Sequence, residues 1–233
     1  IVDSIEGIKV IATGSSVFDL SNTLGEPLVG RKNTIYLFPL AQIEFSATEN
    51  YKQTTENLEK RLSFGGYPEL ELYEDWTEKT EYLFEIINSY LLKDILVFDG
   101  IKNSDKIFAL LRLIAFQVGK EVSLQELGSQ LQISKNTVEK YLDLLSKVFI
   151  IFKVEGFSRN LRKEITKSSR WYFYDNGIRN GIVNNFNRLE NRTDIGDLWE
   201  NYLASERIKK QNYQKIKTTN YFWRTYDQQE IDW

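Results

Sequence analysis

The 233-residue chain is 42% hydrophobic and 27% charged, and its 30 Lys and Arg against 33 Asp and Glu give a net charge of −3. A nucleic-acid contact therefore has to come from a local patch and not from the field of the whole molecule. The absence of Cys excludes disulfides and thiolate metal sites, and the absence of His removes the commonest general base and metal ligand, so any metal has to sit on carboxylates.

No apolar run approaches the roughly eighteen residues that span a bilayer, no signal peptide is visible, and the lack of Cys fits a cytoplasmic chain with no membrane partner. Met is absent even from position 1, where a translated chain starts, so the sequence is expected to be a fragment of a longer one, with internal gaps allowed. Residues 1–6 read as a helix end closed by Gly7. Residues 8–13, IKVIAT, are a β-branched apolar run of the kind buried on both faces of a parallel sheet. The following Gly14-Ser15-Ser16 places Thr13, Ser15 and Ser16 at the carboxyl edge of that sheet, where α/β proteins bind ligands. The same hydroxyls equally suit the cap of a helix over residues 17–23.

Residues 25–32, GEPLVGRK, form a turn-rich link, and residues 34–40, TIYLFPL, a second strand stopped by Pro39, with Arg31 at the edge between them. Residues 41–55 are polar, a helix and a loop. Gly65-Gly66-Tyr67-Pro68 marks a turn that is either a fixed corner or a hinge. A helical pattern covers residues 77–97. A second, over residues 104–119, is built on Ile107, Leu110, Leu111, Ile114, Ala115 and Val118.

Residues 122–149 read as two helices across a tight turn. Ser123, with Glu126 three residues on, opens the first, and Ser134 opens the second. Lys135, Asn136 and Lys140 face outward near the start of that second helix, the end that enters a DNA major groove, although any small helical domain packs two helices in this way. Strand candidates at residues 150–157 and 171–174 flank a loop carrying five basic residues, Arg159, Arg162, Lys163, Lys167 and Arg170, against one acid, Glu164. Together these elements make a winged helix whose loop could track phosphates or could be an ordinary hairpin tip. Residues 175–186 are a short helix with turn-forming Asn and Gly, and residues 188–194 a polar link. A helix over residues 195–209 has Leu198, Trp199, Tyr202, Leu203 and Ile208 on its apolar side, and a strand pair closes the chain.

The strings ATGSSxFDLxxxxGEPLxGRKxxxYxLxPL, ISKNTVEKYL, YFYDNGIRN and FWRTYDQQEID, in that order, resemble a family of prokaryotic AAA-like P-loop ATPases. Those proteins carry a winged helix and then a PD-(D/E)XK nuclease-like domain. The resemblance implies a mixed α/β multidomain chain. It divides into the end of a parallel α/β ATPase core (residues 1–45), a helical lid (46–100), a winged helix-turn-helix (101–190) and the start of a restriction-endonuclease-like domain (191–233). It further implies that Thr13 and Ser15 lie on the strand sensing the γ-phosphate, that Arg31 faces phosphate, and that Glu200 and Asp232 match the first two metal-holding acids of the nuclease fold. The phosphate-binding loop G-x-x-x-x-G-K-[ST] is not in the sequence, so ATP and Mg²⁺ are expected to be held by the complete protein and this chain alone is not expected to hydrolyse ATP. Double-stranded DNA, a protein docked on the winged helix and a second copy of the chain are the partners left open. Two alternatives stand beside the ATPase reading: a winged-helix regulator without ATPase activity, and a protein-docking module.

Overall fold

Side-chain caps open two of the first four helices of the computed structural model, which describes residues 9–14, 32–91, 104–157, 169–224 and 229–232. Helix α1 (Gln42–Phe45) is a single turn. It is followed by α2 (Tyr51–Glu56), where the Asn50 side chain accepts from the Gln53 N–H at 3.0 Å and the Gln53 side chain returns the bond to Asn50 N–H at 2.9 Å. Helix α3 (Leu58–Phe64) ends at Gly65, whose φ of +76° suits glycine. Helix α4 (Trp76–Glu85) starts at Asp75, which accepts from Thr77 and Glu78 N–H at 2.7 and 3.2 Å, and runs on as a π-helical turn (Ile86–Leu91). The helix expected over residues 77–97 is thus formed as far as residue 91, and its remainder lies outside the described residues.

Helix α5 (Ser104–Phe116) buries the face its sequence period marks: Ile107, Leu110, Leu111, Ile114 and Ala115 are all but inaccessible. Strand β1 (Glu121–Val122) leads into α6 (Leu124–Leu131) and α7 (Lys135–Lys147), capped by Ser123 and Ser134 through the N–H groups of Glu126 and Thr137. Strands β2 (Ile151–Gly156) and β3 (Ser169–Phe173) form an antiparallel hairpin in the register Ile151↔Phe173 to Glu155↔Ser169, and β1 pairs with the outer side of β3. A buried helix, α8 (Asn176–Ile182), follows at once. Then come α9 (Ile195–Tyr213), β4 (Tyr221–Arg224) and β5 (Glu230–Ile231). β4 adds parallel to β2 and β5 antiparallel to β4, giving one mixed five-stranded sheet of order β1-β3-β2-β4-β5.

Three expectations differ from what is observed. Of the strand of a parallel sheet expected over residues 8–13 and the further strand expected over 34–40, the described residues 9–13 and 34–40 have no regular secondary structure; Ile11 is 91% and Leu37 88% exposed. A parallel strand takes hydrogen bonds from neighbours and is covered on both faces, and no described strand lies beside either segment. The second segment instead docks by its rings and backbone: Tyr36 meets Phe149 edge-on at 5.6 Å, Phe38 stacks on Tyr174 at 5.6 Å, and Leu40 N–H donates to Gly66 O at 2.6 Å. The third difference is the orientation of α9. Trp199 and Leu203, expected inside, are 41% and 46% exposed, while Asn201, Ser205 and Lys209 are buried beside Leu198 and Ala204. Polar groups win the interior because each finds a partner there, as with the Asn201 side chain, which accepts from Phe173 N–H at 2.7 Å and donates to Phe173 O at 3.2 Å.

Candidate functional sites

The α6–α7 turn is built by close backbone approach. Gln132 takes a left-handed conformation (φ 54°), and a Cβ on Gly128 would lie 2.8 Å from Ile133 O, so the residue at this point of α6 has to be glycine for the turn to fold back. Lys106 on α5 clamps the assembly by donating to Leu131 O at 2.8 Å. The crossing leaves Lys135, Asn136, Glu139 and Lys140 exposed on α7, and Asp143 pairs with Lys147 at 2.6 Å on the next turns. Of the basic and polar residues singled out in the sequence, Lys135, Asn136 and Lys140 therefore share an exposed helix start. Arg159, Arg162, Lys163 and Lys167 lie outside the described residues, on the connection between the paired ends of β2 and β3.

A second locus gathers charge where the hairpin meets the C-terminal elements. Arg170 on β3 is buried, its guanidinium 4.4 Å from the Phe222 ring centre. One of its nitrogens donates to Asp232 Oδ1 at 2.7 Å, the other to Glu230 Oε1 at 2.5 Å, and Glu200 Oε1 stands 3.8 Å away. Burial opposes the charge on Arg170, but the hydrogen bonds to Asp232 and Glu230 outweigh it and hold its pKa above the ordinary value. Tyr172, two residues on and on the same face of the strand, donates to Glu200 Oε1 at 2.6 Å. Burial nevertheless raises the pKa of Glu200 above the usual carboxylate value, with the Tyr172 bond pulling down and Asp232 pushing up. Gly119 admits this carboxylate, since a Cβ there would lie 2.6 Å from Glu200 Oε1. The structure thus brings Glu200 and Asp232 to one place, and it adds Arg170, Tyr172 and Glu230, which the sequence alone does not place there. Arg170, expected as one of the basic residues of the loop, is instead buried in β3, where Asp232 and Glu230 offset its charge.

A third cluster is internal. Asp175 caps α8 through Ile178 N–H at 3.1 Å and accepts from Gly66 N–H at 2.8 Å; burial raises its pKa, opposed by the charge of Lys209 and by backbone N–H groups. Asn176 and Asn180 donate to the last carbonyls of α3, at Leu62 and Ser63. Arg179 donates to Ala115 O at 2.9 Å and to Asp194 at 2.5 Å, and Arg192 pairs with the same Asp194 at 2.8 Å. The Gly65-Gly66 corner is therefore bolted to α8, a fixed corner in this conformation, and the string DNGIRN holds α3, α5 and α9 together. Of the ATPase-side candidates, Thr13 is exposed in an irregular segment, and Ser15 and Arg31 lie outside the described residues.

These features define a mixed α/β protein in which three helices and a hairpin are hydrogen-bonded, through one sheet, to a C-terminal helix and strand pair. The model of the family described as "Domain of unknown function (DUF8612)" matches residues 55–189, more than half the chain, and the chain belongs to that family. Residues 195–233 match a further model, "Domain of unknown function (DUF4143)", a domain found in AAA-ATPase-associated proteins. An uncharacterized protein of Haemophilus influenzae is 28% identical over 196 residues, covering 78% of this chain and 49% of the relative. Two uncharacterized proteins of Methanocaldococcus jannaschii are 27% identical over 168 residues and 24% identical over 226, covering 65% and 84% of this chain and 38% and 47% of the relatives. The chain spans half or less of the length of these curated relatives. No solved structure matches it. Among the described residues, no helix is long and apolar enough to cross a membrane.

Proposed function

We propose that this chain is part of an AAA-type P-loop ATPase and carries its winged helix, a module that binds duplex DNA and is moved by ATP turnover elsewhere in the complete protein. The observation that carries the reading is a succession: helix, strand, two crossed helices and a hairpin, directly followed by a segment matching a domain found in AAA-ATPase-associated proteins. In this reading α7 enters the major groove from its N-terminal turn, with Lys135 and Asn136 leading, and the loop bearing Arg159, Arg162, Lys163 and Lys167 follows phosphates. ATP and Mg²⁺ are held by parts of the complete protein that include a phosphate-binding loop, with Thr13, Ser15 and Arg31 as this chain's contribution. The cluster around Asp175 and Gly66 is then the rigid joint that carries motion from the lid, residues 46–100, to the crossed helices.

A second reading, docking of a protein on the same face, is favoured by Glu139 and Asp143 standing among the basic residues of α7, where acids repel a phosphate backbone. Fluorescence anisotropy of a labelled duplex separates the two. DNA binding predicts an affinity that falls steeply with salt, on a log–log slope that flattens by about one for each phosphate-bound cation neutralised among Lys135, Arg162 and Lys163. Duplex affinity that is absent, or indifferent to those three substitutions, overturns the DNA reading in favour of docking.

A further inference from the structure

The nuclease resemblance assigns Glu200 and Asp232 to a divalent metal, and their surroundings do not fit one. Mg²⁺ asks for near-octahedral oxygen ligands at about 2.1 Å, usually one or two carboxylates and several waters. Here the space between the acids is filled by the buried guanidinium of Arg170, bonded to Asp232 at 2.7 Å and Glu230 at 2.5 Å and covered by the Phe222 ring. The inner oxygen of Glu200 already accepts from Tyr172 at 2.6 Å. A metal ion placed between Glu200 and Asp232 would face the positive charge of Arg170, whose side chain is 3% exposed and already bonded to two of the acids. Among the described residues, no group of three or more acids is arranged to hold a metal ion.

We propose that Arg170 is the resident cation of this carboxylate cluster: it takes the place of a divalent metal and ties the hairpin of residues 151–173 to α9 and β5. Charge supports the assignment from both sides. Arg170, Arg224 and Lys120 meet Glu121, Asp197, Glu200, Glu230 and Asp232, with Arg224 3.3 Å from Glu121 and Lys120 3.7 Å from Asp197. The acids outnumber the cations, so removing Arg170 leaves Glu200, Glu230 and Asp232 without their central counter-charge. A divalent ion is then the chemistry that satisfies them. The cluster also lies at the junction of the two family segments, because Arg170 belongs to the first match and Glu200, Glu230 and Asp232 to the second.

The test is Mn²⁺ binding to the 233-residue chain, followed by the paramagnetic resonance of free Mn²⁺ and by thermal melting. The wild type is expected to show no saturable site at millimolar metal and no shift in melting midpoint. Arg170→Ala and Arg170→Gln are expected to melt earlier, to recover part of that loss when Mn²⁺ is added, and to bind the ion at least about tenfold more tightly than the wild type. Adding Asp232→Asn to either variant should abolish the gain. Two results overturn the proposal. One is a saturable site in the wild type that Glu200→Gln or Asp232→Asn removes; the other is neither metal binding nor melting recovery in both Arg170 variants.

Discussion

Asp194 is a short side chain with a large share of the interior charge. It is the shared acceptor of Arg179 and Arg192, whose side chains are 2% and 0% exposed, while its own is 20% exposed. Burial alone would raise its pKa, but the two guanidinium bonds bring it down to about 2 from 3.8. A carboxylate whose folded pKa is depressed adds stability that is present above the unfolded value and lost as pH falls toward the folded one. Asp194 therefore contributes about 2 kcal/mol at neutral pH that disappears between pH 4 and about 2. Asp194→Asn is expected to cost about 3 kcal/mol at pH 7, because it strands two buried cations, and to cost much less near pH 2. Urea unfolding at the two pH values checks this, and an equal loss at both would contradict it. Asp175 and Glu200 act with the opposite sign, since burial raises their pKa and their ionisation is disfavoured in the fold.

At the scale of elements, what the sequence reveals depends on whether an element is stabilised locally. Both helices of the α6–α7 pair start within a residue of their serine caps, and the α5 core follows the 3.6-residue period, because capping and amphipathic burial are written in neighbouring residues. The hairpin is legible for the same reason, through β-branched and aromatic runs. Residues 34–40 have a strand composition, but a strand needs a partner, and the identity of the partner is not local. The face of α9 escapes a periodicity argument that points apolar side chains inward, because its buried side is set by Asn201, which reaches the backbone of β3 far away in sequence. The Arg170 cluster is illegible on similar grounds, Arg170 and Asp232 being 62 residues apart. The orientation of α9 makes a paired prediction. Trp199→Ser should cost about 1 kcal/mol through its lost stack on Tyr202, whereas Asn201→Ala should cost about 2–4 kcal/mol by leaving Phe173 N–H and C=O unpaired in the interior. Thermal melts of the two variants decide it, and the reverse order would mean that α9 is turned the other way.

At the scale of the molecule, the matches over residues 55–189 and 195–233 fall on elements that share one sheet: β4 continues the hairpin by pairing with Glu155 and Gly156, and Phe157 N–H donates to Phe222 O at 2.7 Å. A hairpin whose inner edge is taken by β4, and whose strand β3 is held by Arg170, cannot move independently of α9. The Gly66–Asp175 contact joins the corner after α3 to α8, and α8 in turn contacts α5 and α9 through Arg179 and Asn176. The proposed coupling of a winged helix to an ATPase, in place of a free-standing DNA-binding regulator, rests on these shared contacts. The measurement that tests it most directly is ATP turnover by the complete protein, titrated with duplex DNA and repeated with Lys135, Arg162 and Lys163 neutralised. Turnover should rise with duplex in the wild type and no longer respond in the variant; turnover that is absent, or that ignores duplex in both, would contradict the coupling.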